Sequence, residues 1–130
     1  MTKTNIKKEI KEKIEKSEKQ KEIQKEKLKI KKLLADVEKE KIKAVESVID
    51  NASFMAVTLR ELMLTLEEKG LVEEYQNGAN QKGLKKSCEV EIYNTMIKNY
   101  ISAMKQLLDL SPTGQKIVDD GLDVYLHGKS

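Results

Sequence analysis

The chain has no tryptophan, one phenylalanine, one proline, one cysteine and one histidine among its 130 residues. One cysteine, Cys88, closes no internal disulfide. With the only histidine, His127, in a polar terminal stretch, the ligands for a structural zinc site are lacking. Cys88 stands where a helix is predicted to start, a place that lowers a thiol pKa, but no histidine base accompanies it in the motif, and it reads as a small helix-start residue rather than a nucleophile. No stretch approaches the roughly 18 consecutive apolar residues of a membrane span, and the first 30 residues hold no apolar run of the secretory type. A soluble cytoplasmic protein is expected. The scarcity of aromatics, with 38% hydrophobic residues against 36% charged, leaves material for only a thin self-contained core.

What is present is charge, unevenly spread. Residues 1–32 hold 13 Lys against 6 Glu, a balance of +7, and the remainder carries −4. The first stretch, Asn5 to Lys32, is almost wholly Lys, Glu, Gln and Ile without Gly or Pro, and therefore predicts a helix. Glu9-Lys13, Glu12-Lys16 and Glu15-Lys19 are i, i+4 pairs that support it, each by about 0.2 to 0.5 kcal/mol. Its apolar edge, Ile6, Ile10 and Ile14, is interrupted at Ser17 and Lys21, so this basic arm, residues 1–35, is expected to be helical but weakly anchored.

From Ile30 an apolar stripe strengthens through Leu33, Leu34 and Val37. After a slip near Lys41 it runs Val45, Val48, Ala52, Met55, Leu59, Leu62 and Leu66, in steps of three and four that make a heptad seam. Ile49, Ala56 and Met63 widen it, so this helix should bury two neighbours or one broad groove. Lys69-Gly70 closes it with a basic residue and a glycine cap. A helix continuous from Asn5 to Lys69 would span roughly 100 Å; a bend near Ala35-Asp36 or Lys41 is expected instead. Ser87 can cap a further helix whose seam is Val90, Tyr93, Ile97, Tyr100, Met104 and Leu107, and which Pro112 ends. The two seams predict an antiparallel helical hairpin over residues 36–110, the tyrosines and methionine serving as core or oligomer contacts.

Between the seams, Gly78 and Gly83 with Lys86-Ser87 imitate a phosphate-cradling loop. That loop needs lysine directly after the second glycine, where this chain has Leu84, and a buried strand before it, where the spacing here is helical. The segment reads as a polar helix-helix connection with a turn at Asn77-Gly78. Residues 111–130, with Pro112, Gly114 and Asp119-Asp120-Gly121, read as a flexible acidic tail. Its Leu122, Val124, Tyr125 and Leu126 form a candidate dock for a partner.

A lysine-rich helical face can lie along phosphates and bind by counterion release, whereas a Lys/Glu run can equally be a solvated helix stiffened by its own ion pairs. No aromatic residue interleaves with the lysines, so base stacking finds no support in the arm. The candidate phosphate contacts are Lys7, Lys8, Lys11, Lys25, Lys29 and Lys32, followed by Lys82, Lys85 and Lys86 in the connection.

The residues Asn51-Ala52-Ser53-Phe54-Met55-Ala56-Val57-Thr58-Leu59-Arg60-Glu61-Leu62, then Glu74-Tyr75-Gln76-Asn77-Gly78-Ala79-Asn80-Gln81, and Val90-Glu91-Ile92-Tyr93-Asn94-Thr95-Met96-Ile97-Lys98-Asn99-Tyr100 occur in that order with Pro112 beyond. Together they resemble the small terminase subunit of tailed bacteriophages, in the group found in phages and prophages of low-GC Gram-positive bacteria. The similarity extends over about residues 36–126. It implies a non-enzymatic protein of the host cytoplasm, without cofactor, metal or small-molecule substrate. Such a protein assembles into homo-oligomeric rings, binds viral double-stranded DNA and recruits or regulates the large terminase subunit. The chain departs from many such subunits in offering only a lysine/glutamate helix where they carry a helix-turn-helix. The expectation is thus an all-α protein acting as a DNA-packaging adaptor, the alternative being a coiled-coil structural or regulatory protein that makes protein contacts only.

Overall fold

The structure, a computed structural model, describes residues 3–76 and 82–121. It is essentially all-α, as expected: α1 (Lys3–Leu33), α2 (Lys39–Ala44), α3 (Glu46–Lys69), α4 (Cys88–Leu108) and α5 (Pro112–Asp119), with a two-stranded sheet of β1 (Val72–Gln76) and β2 (Lys82–Lys86) between α3 and α4.

The long first helix ends without glycine or proline. Leu34 and Ala35 amides bond back to Lys31 and Lys32 carbonyls, and Val37 to Leu34, winding a tight turn. Burial drives that turn, because Leu34 and Ile30 enter the core beside Ile49, Ala52, Met104, Leu107 and Leu108. The expected bend is therefore a full reversal. Lys31 and Lys27 meet Glu46 and Asp50 while Lys19 reaches Glu61, so α1 lies antiparallel to α3. The slip noted near Lys41 falls in the short α2, which is separated from α3 by Val45 at φ −108°, ψ 14°.

Helix α3 is central, packing against α1 on one side and α4 on the other, which accounts for the width of its apolar stripe. The α3/α4 hairpin is present, with Ala52 packed in the cluster of Met104 and Leu107 at one end and Lys69 paired with Glu89 at the other. Of the two seams, Ala52, Leu59, Met104 and Leu107 are buried. Val45, Val48, Met55, Leu62, Leu66, Val90, Tyr93, Ile97 and Tyr100 are half-buried in the single chain.

Three expectations are corrected. The arm is anchored over its second half: Ile30 is only 3% exposed, and ion pairs hold α1 from Lys19 to Lys31 against α3, whereas residues 3–18, with Ile6, Ile10 and Ile14, are exposed throughout. The polar connection is a β-hairpin with Val72 opposite Lys86, Glu73 opposite Lys85 and Glu74 opposite Leu84. The segment after Ser111, expected to be a flexible tail, carries α5 over Pro112–Asp119. There Pro112 both follows the end of α4 and opens the next helix, where its missing N–H costs nothing. The buried Ser111 hydroxyl accepts from the Gly114 amide at 2.8 Å, and Gly114 lies directly against the Leu108 carbonyl. Ile117 and Val118 then rest on the core.

Candidate nucleic-acid interface

A helix of 3.6 residues per turn completes about five turns in eighteen residues. Lys7 and Lys25 are eighteen apart, as are Lys11 and Lys29, and Lys32 follows two turns after Lys25. The structure keeps α1 unbroken over this whole length, so these five lysines fall on one side of it, all of them exposed. Lys8 is exposed but stands about 100° round the helix from Lys7, off that stripe.

Other lysines of the same helix point the opposite way. Lys27 Nζ lies 2.6 Å from Glu46 and 2.8 Å from Asp50, Lys31 reaches Glu46 at 3.4 Å, and Lys19 holds Glu61 at 2.8 Å. Lys19 also sits 4.7 Å from the centroid of the Phe54 ring, a cation-π contact. Hydrogen bonds to Asp50 and then Glu46 hold the Lys27 ammonium above its ordinary pKa, and Lys27 holds the Glu46 carboxyl below its own. These lysines are occupied by packing and contribute little free positive charge. None of the three is among the phosphate-contact candidates read from the sequence, but their partners were not read there. The signal is the complementary row Glu46, Asp50 and Glu61 on α3, legible only once the two helices are known to be antiparallel.

Along the stripe the charge forms two groups, Lys7 with Lys11 and Lys25 with Lys29 and Lys32, about 20 Å apart at 1.5 Å rise per residue. That exceeds the Debye length of about 8 Å at physiological salt. The groups therefore act as separate patches divided by Glu15, Glu18 and Glu22, and Glu22 is itself 3.2 Å from Lys25. Lys29 stands at the rim of a groove where α1, α3 and α4 meet, lined also by Arg60, Met63, Tyr93 and Tyr100.

The connection lysines are arranged differently. Lys85 Nζ is 3.6 Å from Glu73, its cross-strand neighbour, and Lys86 is exposed opposite Val72. Lys82 opens β2, paired through the backbone with Gln76. The hairpin is thus a basic strand beside an acidic one, and the stripe on α1 is the stronger anion-facing surface. The tail candidates Leu122, Val124, Tyr125 and Leu126, and the Asn77-Gly78 turn, lie outside the described residues.

Among the described residues no group of His, Cys, Asp and Glu is placed to hold a metal, and no helix is long and apolar enough to cross a membrane. No protein-family model, curated protein or solved structure matches the chain.

Proposed function

We propose that the chain is a small terminase subunit, a non-catalytic oligomeric adaptor that binds viral double-stranded DNA and engages the large subunit for genome packaging. The observation that carries this reading is the exposed side of α1, where Lys7, Lys11, Lys25, Lys29 and Lys32 align on one unbroken helix whose second half, Lys19 to Lys31, is held from behind by α3. Lysines set along one continuous helix meet a phosphate backbone with less freedom to lose than those of an unstructured arm, and they bind without reading bases. The seam residues left half-buried in one chain, and the resemblance over residues 36–126, support self-assembly as part of the same function.

Truncating the arm is a poor test, since it removes Ile30 from the core. The better experiment is duplex binding by fluorescence anisotropy between 50 and 200 mM salt, comparing the full chain with a variant carrying Gln at Lys7, Lys11, Lys25, Lys29 and Lys32. If all five meet phosphates, the slope of log affinity against log salt loses about 4.5 per copy. Absence of duplex binding at 50 mM salt, or an identical slope in the variant, would overturn the proposal and favour a scaffold that contacts protein only.

A further inference from the structure

Among the described elements, the hairpin between α3 and α4 packs mainly on itself. Each strand's principal neighbour is the other strand, and no described element pairs with the outer edge of either. On one face Val72 is 55% exposed and Leu84 68% exposed, with Leu71 exposed just before β1. A two-stranded ribbon is marginal in water and gains independent stability from further strands or a packed face. Its two edges also differ in charge: β1 carries Glu73 and Glu74, whereas β2 carries Lys82, Lys85 and Lys86.

We infer that the hairpin is a strand-pairing surface for a second copy of this chain, the β2 edge of one copy adding to the β1 edge of the next. Charge selects this arrangement. Joining β1 to β1 brings Glu73 and Glu74 against their own kind, and joining β2 to β2 does the same with lysines, whereas β2 to β1 alternates sign. Copies related by rotation point their hairpins the same way, so β2 of one runs antiparallel to β1 of its neighbour. In the register used within the chain, Lys85 faces the next copy's Glu73, and Leu84 lies diagonal to its Val72. Val72 and Leu84 then alternate across the enlarged sheet as an apolar row. Because the two joined edges differ, the contact is head to tail, and it closes only when enough copies complete a rotation. Closure leaves no free edge, the stable outcome for such strands.

The inference rests on the oligomeric part of the proposed function and assigns it a surface. The test uses full-length chains in a Cys88→Ser background, one bearing Glu73→Cys and the other Lys85→Cys, treated with a short bis-maleimide. Covalent dimer is expected in the mixture and not in either variant alone. Leu84→Ser, which removes the exposed apolar side chain without setting a like charge opposite Glu74, is expected to weaken self-association by about tenfold in sedimentation velocity, with helical circular dichroism unchanged. Oligomers that assemble normally with Leu84→Ser, or that crosslink equally in single-variant samples, would overturn the strand pairing while leaving the DNA-binding reading intact. A chain that stays monomeric without DNA and with it would overturn both.

Discussion

Arg60 on α3 reaches across to Glu26 on α1, its Nη2 2.6 Å from the carboxylate Oε1, and its Nε also donates to the Ala56 carbonyl at 3.4 Å. Glu26 has a side chain only 15% exposed, so the pair closes one wall of the groove between the two helices. Arg60→Ala leaves that carboxylate without its partner. Because Arg60 itself is exposed, a loss of about 1 kcal/mol is expected, near the top of the range for surface pairs. A double-mutant cycle with Glu26→Gln, read by chemical denaturation, isolates the interaction; additive single changes would show that the pair contributes nothing.

The two populations of lysine on α1 should separate experimentally. Lys27→Gln combined with Lys31→Gln removes the partners of Glu46 and Asp50, and is expected to lower the melting temperature by a few degrees while leaving the salt dependence of DNA binding as it was. The outward set has the opposite signature: weakened DNA binding with an unchanged melting temperature. Calorimetry alongside the anisotropy titration reads both.

Position 114 has no room for a side chain. A Cβ there would overlap the Leu108 carbonyl oxygen and lie 2.7 Å from the Leu108 Cα, so α5 must lift from α4 to admit it. Gly114→Ala is expected to destabilise the chain by about 1 to 3 kcal/mol, as overpacking does. Hydrogen exchange should show faster exchange across α5 in the variant. Unchanged protection there would mean that α5 is not docked as described.

Gly70 ends α3 at φ 85°, ψ 176°, a region open essentially to glycine, and turns the chain into β1. The obstacle to a side chain is conformational rather than spatial, since a Cβ there meets nothing within 4 Å. Gly70→Ala should cost about 1 to 3 kcal/mol, with the disturbance concentrated at the hairpin. Chemical denaturation gives the magnitude, and amide shifts in β1 give the location.

Acid and alkali should act through two ion-pair centres. Hydrogen bonds from Lys27 and from Lys69 hold Glu46 and Glu89, respectively, below their ordinary pKa values. Their stabilisation is complete above the ordinary glutamate value and is lost as pH falls through the depressed one. Lys27 and Lys69 are raised by bonding to Asp50 with Glu46 and to Glu89, so their contribution is complete below the ordinary lysine value and lost as pH rises through the elevated one. The melting temperature is therefore expected to be flat through neutral pH and to decline at both extremes. Glu46→Gln with Glu89→Gln should shallow the acid limb; an acid limb of unchanged steepness would place the effect elsewhere.

Much of the helical frame was legible along the chain because helices are local. Steps of three and four from Val45 to Leu66 and from Val90 to Leu107 put apolar side chains on one face whatever lies opposite, and Ser87 caps α4 through a bond spanning three residues. The hairpin was not legible, because Val72–Gln76 and Lys82–Lys86 contain one β-branched residue and no clean alternation; their pairing is a relation between strands. Helix α5 was missed for a similar reason. Its polar sequence gains order from docking Gly114, Ile117 and Val118 onto the end of α4.

What the sequence by itself determined is the set of helices, their apolar faces and the surplus of lysine in the first of them, all set by spacing and composition within a few turns. Only the tertiary structure decided which lysines face α3 and which face away from it. Lys25 and Lys27 are neighbours of identical chemistry, and a rotation of about 200° around one helix axis sends the first outward and the second between Glu46 and Asp50. That outcome depends on α3 folding back beside α1, a contact between residues about twenty positions apart, which no local pattern encodes.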